Sequence, residues 1–209
     1  MKPVVCGTAI AAIIVAISLV ALFAFTPRVK RPGYIEGRPL LESESRLFTD
    51  PQINLQFSPP VDWAMQERTT QSPTKHRAER MLVKYKQVLP AKPVAWLKVS
   101  VAEANGDQSP ATLLQMRKPP EPTWRVVKEV EDGLKVGGLP AARVTFGGPF
   151  DPAGRGPREY VSELVAVRRG AQVFFFAGTY ALTDVHERQK IRTAVESAVF
   201  DRTIFIADP

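Results

Sequence analysis

Residues 160–180, YVSELVAVRRGAQVFFFAGTY, carry the strongest structural signal in the chain. Apolar and polar side chains alternate on both sides of Arg169-Gly170-Ala171, a pattern that predicts two strands joined by a tight turn. The run Val173–Phe176 is apolar on both faces, whereas a strand with one solvated face would alternate. We therefore predict an antiparallel hairpin whose second strand lies in the centre of a sheet that is covered on both sides.

Shorter alternating segments on either side of this hairpin predict further strands. Two other segments predict helices. Ser109-Pro110 places a capping residue before a proline at the first helical position, and Asp184 with Glu187 forms a capping pair ahead of an amphipathic run. Hairpins combined with two helices predict an α+β domain over residues 51–209, in which helices flank an antiparallel sheet. The additional strands begin near Ile53, Val61, Met81, Leu97, Trp124 and Ala142, and a short closing strand is predicted from Arg202 to Ile206.

The N-terminus predicts a membrane anchor. Val4 to Phe25 contains no formally charged residue, and a helix of that length extends about 33 Å, enough to cross a hydrocarbon core of about 30 Å. The run is longer than a usual signal-peptide core and lacks a good small-x-small cleavage site. We therefore interpret residues 1–26 as a cytoplasmic tip and transmembrane signal anchor inserted in the lipid bilayer through residues 4–25, and residues 27–50 as a linker.

The charges that flank the anchor leave its orientation open. Arg28, Lys30 and Arg31 follow the apolar run, and the positive-inside rule would keep them in the cytoplasm. Long domains, however, translocate largely regardless of such charges, and an N-terminal apolar run is usually an export signal. We expect a single-pass protein with an extracytoplasmic domain. Cys6 is the only cysteine, so the domain has no disulfide or thiolate chemistry.

A basic band is the most specific polar feature of the sequence. The net charge is +7, and residues 75–92 hold many lysines and arginines against Glu79 alone. We predict that Arg80, Lys84 and Lys86 project from one face of a strand, joined by Trp96 and Lys98 of the next strand. Cations beside an aromatic ring can bind an anionic surface or an acidic partner; the alternative is a solvated sheet edge protected by lysines. A nucleic-acid partner is not expected at this modest charge.

The sequence offers no recognisable catalytic apparatus. It contains no Gly-x-Ser-x-Gly motif and no Cys/His pair in the predicted domain. Neither His76 nor His186 has a second ligand at metal-binding spacing. We expect no catalytic residue, cofactor or metal site, and hence no enzyme activity.

Four motifs in a fixed order resemble the PsbP-like superfamily, the group that contains PsbP, LpqN and DcrB. They are INLQFSPPVDWAMQ from residue 53, VGGLPAARVTF from residue 136, the long hairpin from residue 160, and DVHERQKIRTAVESAVF from residue 184. The resemblance covers about residues 50–206. It implies an antiparallel sheet sandwiched by helices, exported in many bacterial members, with no shared catalytic residues and no common partner.

Two functions remain open from the sequence. The first is a membrane-tethered, non-catalytic module that binds or assembles an unidentified protein partner. The second is a carrier or sensor that holds a lipid or small apolar molecule between sheet and helix, suggested by Phe174, Phe175 and Phe176 beside Tyr160 and Tyr180. Core packing alone is the competing explanation for these aromatic residues.

Overall fold

The computed structural model describes residues 47–69, 79–87, 94–104, 106–154 and 156–200. Nine strands and two helices lie within these ranges. The strands are β1 (Phe48–Asp50), β2 (Leu55–Phe57), β3 (Trp63–Arg68), β4 (Glu79–Gln87), β5 (Trp96–Glu103), β6 (Arg125–Val136), β7 (Leu139–Phe150), β8 (Arg158–Arg169) and β9 (Gln172–Ala181), and the helices are α1 (Pro110–Gln115) and α2 (Val185–Glu196).

Seven strands form one antiparallel sheet in the order β3-β4-β5-β9-β8-β7-β6, and β1 pairs with β2 separately. β9 is the middle strand, as the two-sided apolar run Val173–Phe176 predicted. Arg169 pairs with Gln172 across the turn Gly170-Ala171, which confirms the predicted hairpin. Gly170 has a φ of 58°, a left-handed conformation that glycine adopts without strain. The predicted class is confirmed as a mostly antiparallel sheet with few helices.

The large sheet has a separate hydrophobic core on each face, because successive strand residues point to opposite sides. On β9, Phe174 and Phe176 point towards the side covered by α2, which we call the α2 face, and belong to one core. Phe175 points towards the side covered by α1, the α1 face, and belongs to the other core. The two faces of the large sheet therefore border two different cores.

Close contacts seal the α2 face. A Cβ atom at Gly178 would lie 2.3 Å from Cγ2 of Ile191, so α2 rests directly on the backbone of β9. The β1–β2 hairpin adds Phe57, whose ring packs edge-on against Phe176 with centroids 5.9 Å apart. Phe57 and Phe176 are both fully buried. This face is packed like a protein interior.

A buried carboxylate fixes the start of α2. Asp184 caps the helix by accepting the backbone N–H of Glu187 at 3.3 Å, as predicted. The second half of the predicted capping pair is wrong. The Glu187 carboxylate turns into the core, where Trp63 Nε1 donates to it at 2.8 Å, Gln87 Nε2 donates at 3.1 Å and Lys190 lies at 3.5 Å. A buried carboxylate needs such partners, and the core supplies more of them than the helix end does.

A second buried carboxylate anchors the other side of α2. Glu163 on β8 accepts hydrogen bonds from Arg188 Nε at 2.9 Å, from Arg192 Nη2 at 2.8 Å and from the Tyr180 hydroxyl at 2.9 Å. Arg143 of β7 lies at 3.9 Å. Burial alone would raise the pKa of the Glu163 carboxyl, but the hydrogen bonds and charges of the arginines outweigh it and hold that pKa below its usual value.

The N-terminal predictions fall mostly outside the described residues. These are the tip and anchor over 1–26, most of the linker over 27–50, and the closing strand over 202–206. Among the residues that are described, no helix has the length and apolarity needed to cross a bilayer. The end of the predicted linker is described and is not irregular, because Phe48–Asp50 form β1. Ordered β structure therefore begins before residue 51.

Candidate functional site

A pocket of about 640 Å³ lies on the α1 face, between the sheet and the segment that follows α1. Small-molecule sites commonly have volumes of about 300–1,000 Å³ and mix apolar walls with a few polar groups. The lining of this pocket has that composition. It consists of Glu79, Met81, Trp96, Lys98, Arg117, Lys118, Pro120, Glu121, Trp124, Phe146, Phe150, Ser162, Leu164, Ala177 and Thr179.

The short helix α1 determines where the pocket lies. The Ser109 hydroxyl accepts the N–H of Thr112 at 3.1 Å, and Pro110 occupies the first turn, which confirms the predicted cap. α1 packs on β6, β7 and β8, and it ends at Gln115. Residues 116–124 then cross the sheet without helical structure, since Pro119, Pro120 and Pro122 cannot continue a helix. The pocket is the space beneath this segment.

Trp124 forms one wall and is held there by its neighbours. Its ring lies on Gly148 so closely that a Cβ atom at that position would be 2.7 Å from Trp124 Cδ1. The indole Nε1 donates to the carbonyl oxygen of Pro149 at 3.1 Å. The ring also meets Phe150 edge-on, with centroids 6.0 Å apart. Trp124 therefore has a fixed orientation beside the pocket.

An aromatic cluster forms the apolar end of the pocket. Trp96 lies with its ring centroid 5.7 Å from that of Phe150 and 6.4 Å from that of Tyr160. Phe150 and Tyr160 are themselves 5.6 Å apart in an edge-to-face arrangement. Aromatic rings offer a large apolar contact area at little cost in side-chain entropy. This end of the pocket suits an acyl chain or a ring.

A charged pair and a hydroxyl pair give the pocket polar groups. Arg117 Nη2 lies 2.7 Å from Glu79 Oε2, and the Arg117 guanidinium stacks 4.0 Å above the ring centroid of Phe175. Burial alone would raise the pKa of the Glu79 carboxyl, but hydrogen bonds from Ser100 and Arg117 keep that pKa below its usual value. Glu79 is thus an anion already neutralised by Arg117.

The hydroxyls of Ser162 and Thr179 lie side by side on β8 and β9. The Thr179 hydroxyl donates to Ser162 Oγ at 3.1 Å, and both residues are buried. They line the pocket on the α1 face. A hydroxyl pair of this kind can hydrogen-bond a polar group of a ligand.

The structure brings four of the five predicted site residues together. Lys84 pairs with Lys98 and Lys86 pairs with Trp96 across β4 and β5, so all four project from the α1 face. Lys84 Nζ lies 5.9 Å from the ring centroid of Trp96. Trp96 and Lys98 belong to the lining of the pocket. The basic band therefore lies next to the pocket.

Arg80, the fifth predicted residue, points to the other face. It pairs with Val101, which faces the α2 core, whereas Lys84 pairs with Lys98. The register shifts between Met81 and Val83, a β-bulge that inserts one residue and reverses the side to which the earlier side chains point. A strict period of two cannot show such a bulge.

The lining residues Arg117, Trp124 and Phe150 had no predicted role. Trp124 and Phe150 lie at the ends of β-structure rather than inside an alternating run, and Arg117 lies between a helix and three prolines. The proline-rich stretch was visible in the sequence. Its position over the sheet was not.

Metal-ligating side chains do not cluster in the described ranges, where no group of three or more His, Cys, Asp or Glu could hold a metal ion. His186 lies exposed in the first turn of α2. His76 lies outside the described residues.

No protein-family model matches this chain, and no curated protein matches its sequence. Among solved structures, it is similar to LpqN of Mycobacterium tuberculosis, described as involved in cell envelope biogenesis, at 16% identity and a TM-score of 0.46 over 69% of this chain and 82% of that one. It is similar to the cyanobacterial PsbP of Synechocystis at 11% identity and a TM-score of 0.47, over 79% of this chain and 99% of that one. LpqN and PsbP, two proteins of the group that the four motifs resemble, are thus among the solved structures to which the chain is similar.

Proposed function

We propose that this chain is a membrane-tethered, non-catalytic binding module whose α1 face holds a small, partly apolar ligand. The pocket supports this proposal. Its volume of about 640 Å³ lies within the range of small-molecule sites. None of the five aromatic residues that suggested a ligand from the sequence lines it, and its aromatic walls are Trp96, Trp124, Phe146 and Phe150. The Phe174 and Phe176 side chains do serve packing, because they fill the core of the α2 face.

The placement of the buried carboxylates supports a non-catalytic role. Glu163 and Glu187 are each held by several donors on the α2 face, where they fasten α2 to the sheet. Glu79, one of the two acidic residues of the pocket lining, is paired with Arg117, and the other, Glu121, lies on the segment after α1. A general base would need a carboxylate free to accept a proton from a substrate. Binding without turnover fits these pairings.

The tether and the extracytoplasmic position are proposals drawn from the N-terminal sequence. The uncharged run over residues 4–25 has the length of a bilayer-spanning helix. Protease added to intact cells should remove the domain while leaving a short membrane-bound fragment. Cleavage only after the cells are lysed would place the domain in the cytoplasm instead.

Photo-crosslinking tests the ligand site in the full chain. The chain is reconstituted in nanodiscs of zwitterionic lipid and labelled with an octan-1-ol analogue that carries a diazirine. We expect label on β5 and residues 116–124, and none on α2. Ala177 lies on the pocket floor, so Ala177→Trp should fill the pocket and abolish labelling. Ala177→Ser is the matched control and should be labelled like the native chain. Label spread evenly over the surface would contradict the proposal.

A second candidate function is binding of a protein partner at a sheet edge. β6 is the terminal strand of the large sheet, and Val126 and Val127 on it are exposed. An open strand edge with apolar side chains can accept another strand. Affinity purification from solubilised membranes tests this candidate: loss of a stoichiometric partner from a Val126→Lys/Val127→Lys variant would support it, and recovery of no such partner with the native chain would count against it.

A further inference from the structure

The proposed function does not specify the class of ligand. The charges around the pocket indicate which class fits. Resting on that function, we infer that the ligand is a single-chain amphiphile with an anionic head group. The head group lies against Lys84, Lys86 and Lys98, and the apolar tail lies among the aromatic side chains of the pocket.

Lys84, Lys86 and Lys98 lie close together without an ion-pair partner among the described residues. Lys84 and Lys98 are directly paired across two antiparallel strands, and like charges in that position repel each other. In the part of the chain that the structure describes, no carboxylate forms an ion pair with Lys84, Lys86 or Lys98, although Glu67 is the strand partner of Lys84. A bound anion would relieve this repulsion.

The acidic residues of the pocket offset the lysines only in part. The charge of Lys98 contributes to the lowered pKa of Glu79, but the Glu79 carboxylate is held by Arg117 at 2.7 Å and by the Ser100 hydroxyl. Glu121 is the other acidic residue of the lining, and it lies with Lys118 on the segment after α1. The side of the pocket formed by β4 and β5 therefore stays cationic. An anionic head group is attracted to that side, whereas a cationic one is repelled and a neutral one gains no attraction.

Trp96 connects the cationic side to the apolar end. Lys84 Nζ lies 5.9 Å from the centroid of its ring, and that centroid lies 5.7 Å from the ring centroid of Phe150. A ligand that reaches from the lysines across Trp96 must be polar at one end and apolar along the rest. That is the chemistry of a fatty acid or an alkyl phosphate. A membrane surface also presents anionic head groups, but its lipids would stay in the bilayer and leave the pocket empty.

Isothermal titration of three amphiphiles with the same chain length tests the inference. The full chain in zwitterionic nanodiscs is titrated with octanoate, octyl phosphate and octan-1-ol, with empty nanodiscs as the blank. We expect either anion to bind about tenfold more tightly than octan-1-ol, since a hydrogen bond to a charged group contributes about that much. Lys84→Gln/Lys98→Gln should abolish the preference. Lys128→Gln/Lys135→Gln removes two exposed lysines of β6 and should keep it.

The outcomes separate the inference from the proposed function. Equal binding of octan-1-ol and the anions, or a preference that survives Lys84→Gln/Lys98→Gln, overturns the inference and leaves a neutral ligand site. Charge-dependent binding that appears only when phosphatidylglycerol is added to the nanodisc also overturns it, because the ligand is then a bilayer surface. Failure of all three amphiphiles to bind overturns both.

Discussion

The two faces of the sheet use the same strands for different purposes. On the α2 face, a helix lies directly on Gly178, and two buried carboxylates are each held by several donors. On the α1 face, a helix of six residues covers only part of the sheet and leaves a pocket of about 640 Å³. One face thus holds the fold together, and the other contains the space that the proposed ligand would occupy.

Removing one phenylalanine from each face should give the largest difference. Phe176 on the α2 face and Phe146 on the α1 face are both buried, but only Phe146 borders the pocket. Phe176→Ala should reduce the free energy of unfolding by about 3–5 kcal/mol, because it leaves a closed cavity. Phe146→Ala should cost clearly less, since it enlarges a space that is already open. Chemical denaturation of both variants measures the difference, and equal losses would mean that the faces do not differ.

Adding one methyl group to each face should have the next largest effect. Gly178→Ala forces its Cβ against Ile191 and should destabilise the chain by about 1–3 kcal/mol. In an Ile191→Ala background, which is itself less stable, Gly178→Ala should cost less than it does in the native chain. Gly148→Ala would place its Cβ 2.7 Å from Cδ1 and 3.1 Å from the backbone Cα of Trp124, and so should displace a wall of the pocket. We expect it to reduce octanoate binding, whereas Gly178→Ala should leave that binding in place. Unchanged octanoate binding in Gly148→Ala would contradict the assignment of Trp124 to the ligand site.

Lowering the pH should weaken the ion pairs of the α2 face with a larger loss of stability than those of the α1 face. The pKa values of Glu163 and Glu79 both lie below the ordinary value of 4.5, so each ion pair stabilises the chain fully above that pH and is lost as the pH falls through the lowered pKa. At pH 7, Glu163→Gln should cost about 2–3 kcal/mol, at the low end for a broken buried pair because its arginines are partly exposed.

The control for that experiment is Glu79→Gln, whose carboxylate is more exposed than that of Glu163. It should cost less at pH 7. The unfolding free energy of Glu163→Gln should also change less than that of the native chain between pH 5 and pH 3. Identical acid profiles for the native chain and Glu163→Gln would contradict the assigned role of Glu163.

The smallest effect on stability is expected at the basic residues of the α1 face. Lys84→Glu/Lys86→Glu should change the free energy of unfolding by less than about 0.5 kcal/mol per site, as surface substitutions usually do. The same variant should weaken octanoate binding, and more so at low ionic strength. Titration at two salt concentrations checks both points. Unchanged binding at either concentration would mean that the lysines only face solvent.

The sequence predicts the fold better than the site. The central position of β9 follows from Val173–Phe176, and the helix starts follow from Ser109 and Asp184, because these signals are local. The inward turn of Glu187 depends on Trp63, which is 124 residues away. Only the assembled sheet brings these two residues together.

The site depends even more on features that a single segment does not show. Trp96 and Lys98 were identified correctly as neighbours of Lys84 and Lys86, because period-two alternation applies to both strands. Because of the bulge after Met81, the Arg80 side chain points to the other face. Trp124 became a pocket wall because Gly148, on a different strand, leaves room for its ring. Contacts between distant segments decide such positions, and a pattern within one segment contains no information about them.

The three tryptophans of the chain allow the most direct test of the division between the faces. Trp96 and Trp124 line the pocket, whereas Trp63 is bonded to Glu187 on the α2 face. The full chain is labelled with 5-fluorotryptophan in zwitterionic nanodiscs, and its ¹⁹F resonances are assigned through single Trp→Phe variants. When octanoate is added, the resonances of Trp96 and Trp124 should shift together and saturate, while that of Trp63 stays in place. A shift of Trp63 equal to the others, or no saturable shift at all, would contradict a ligand site on the α1 face.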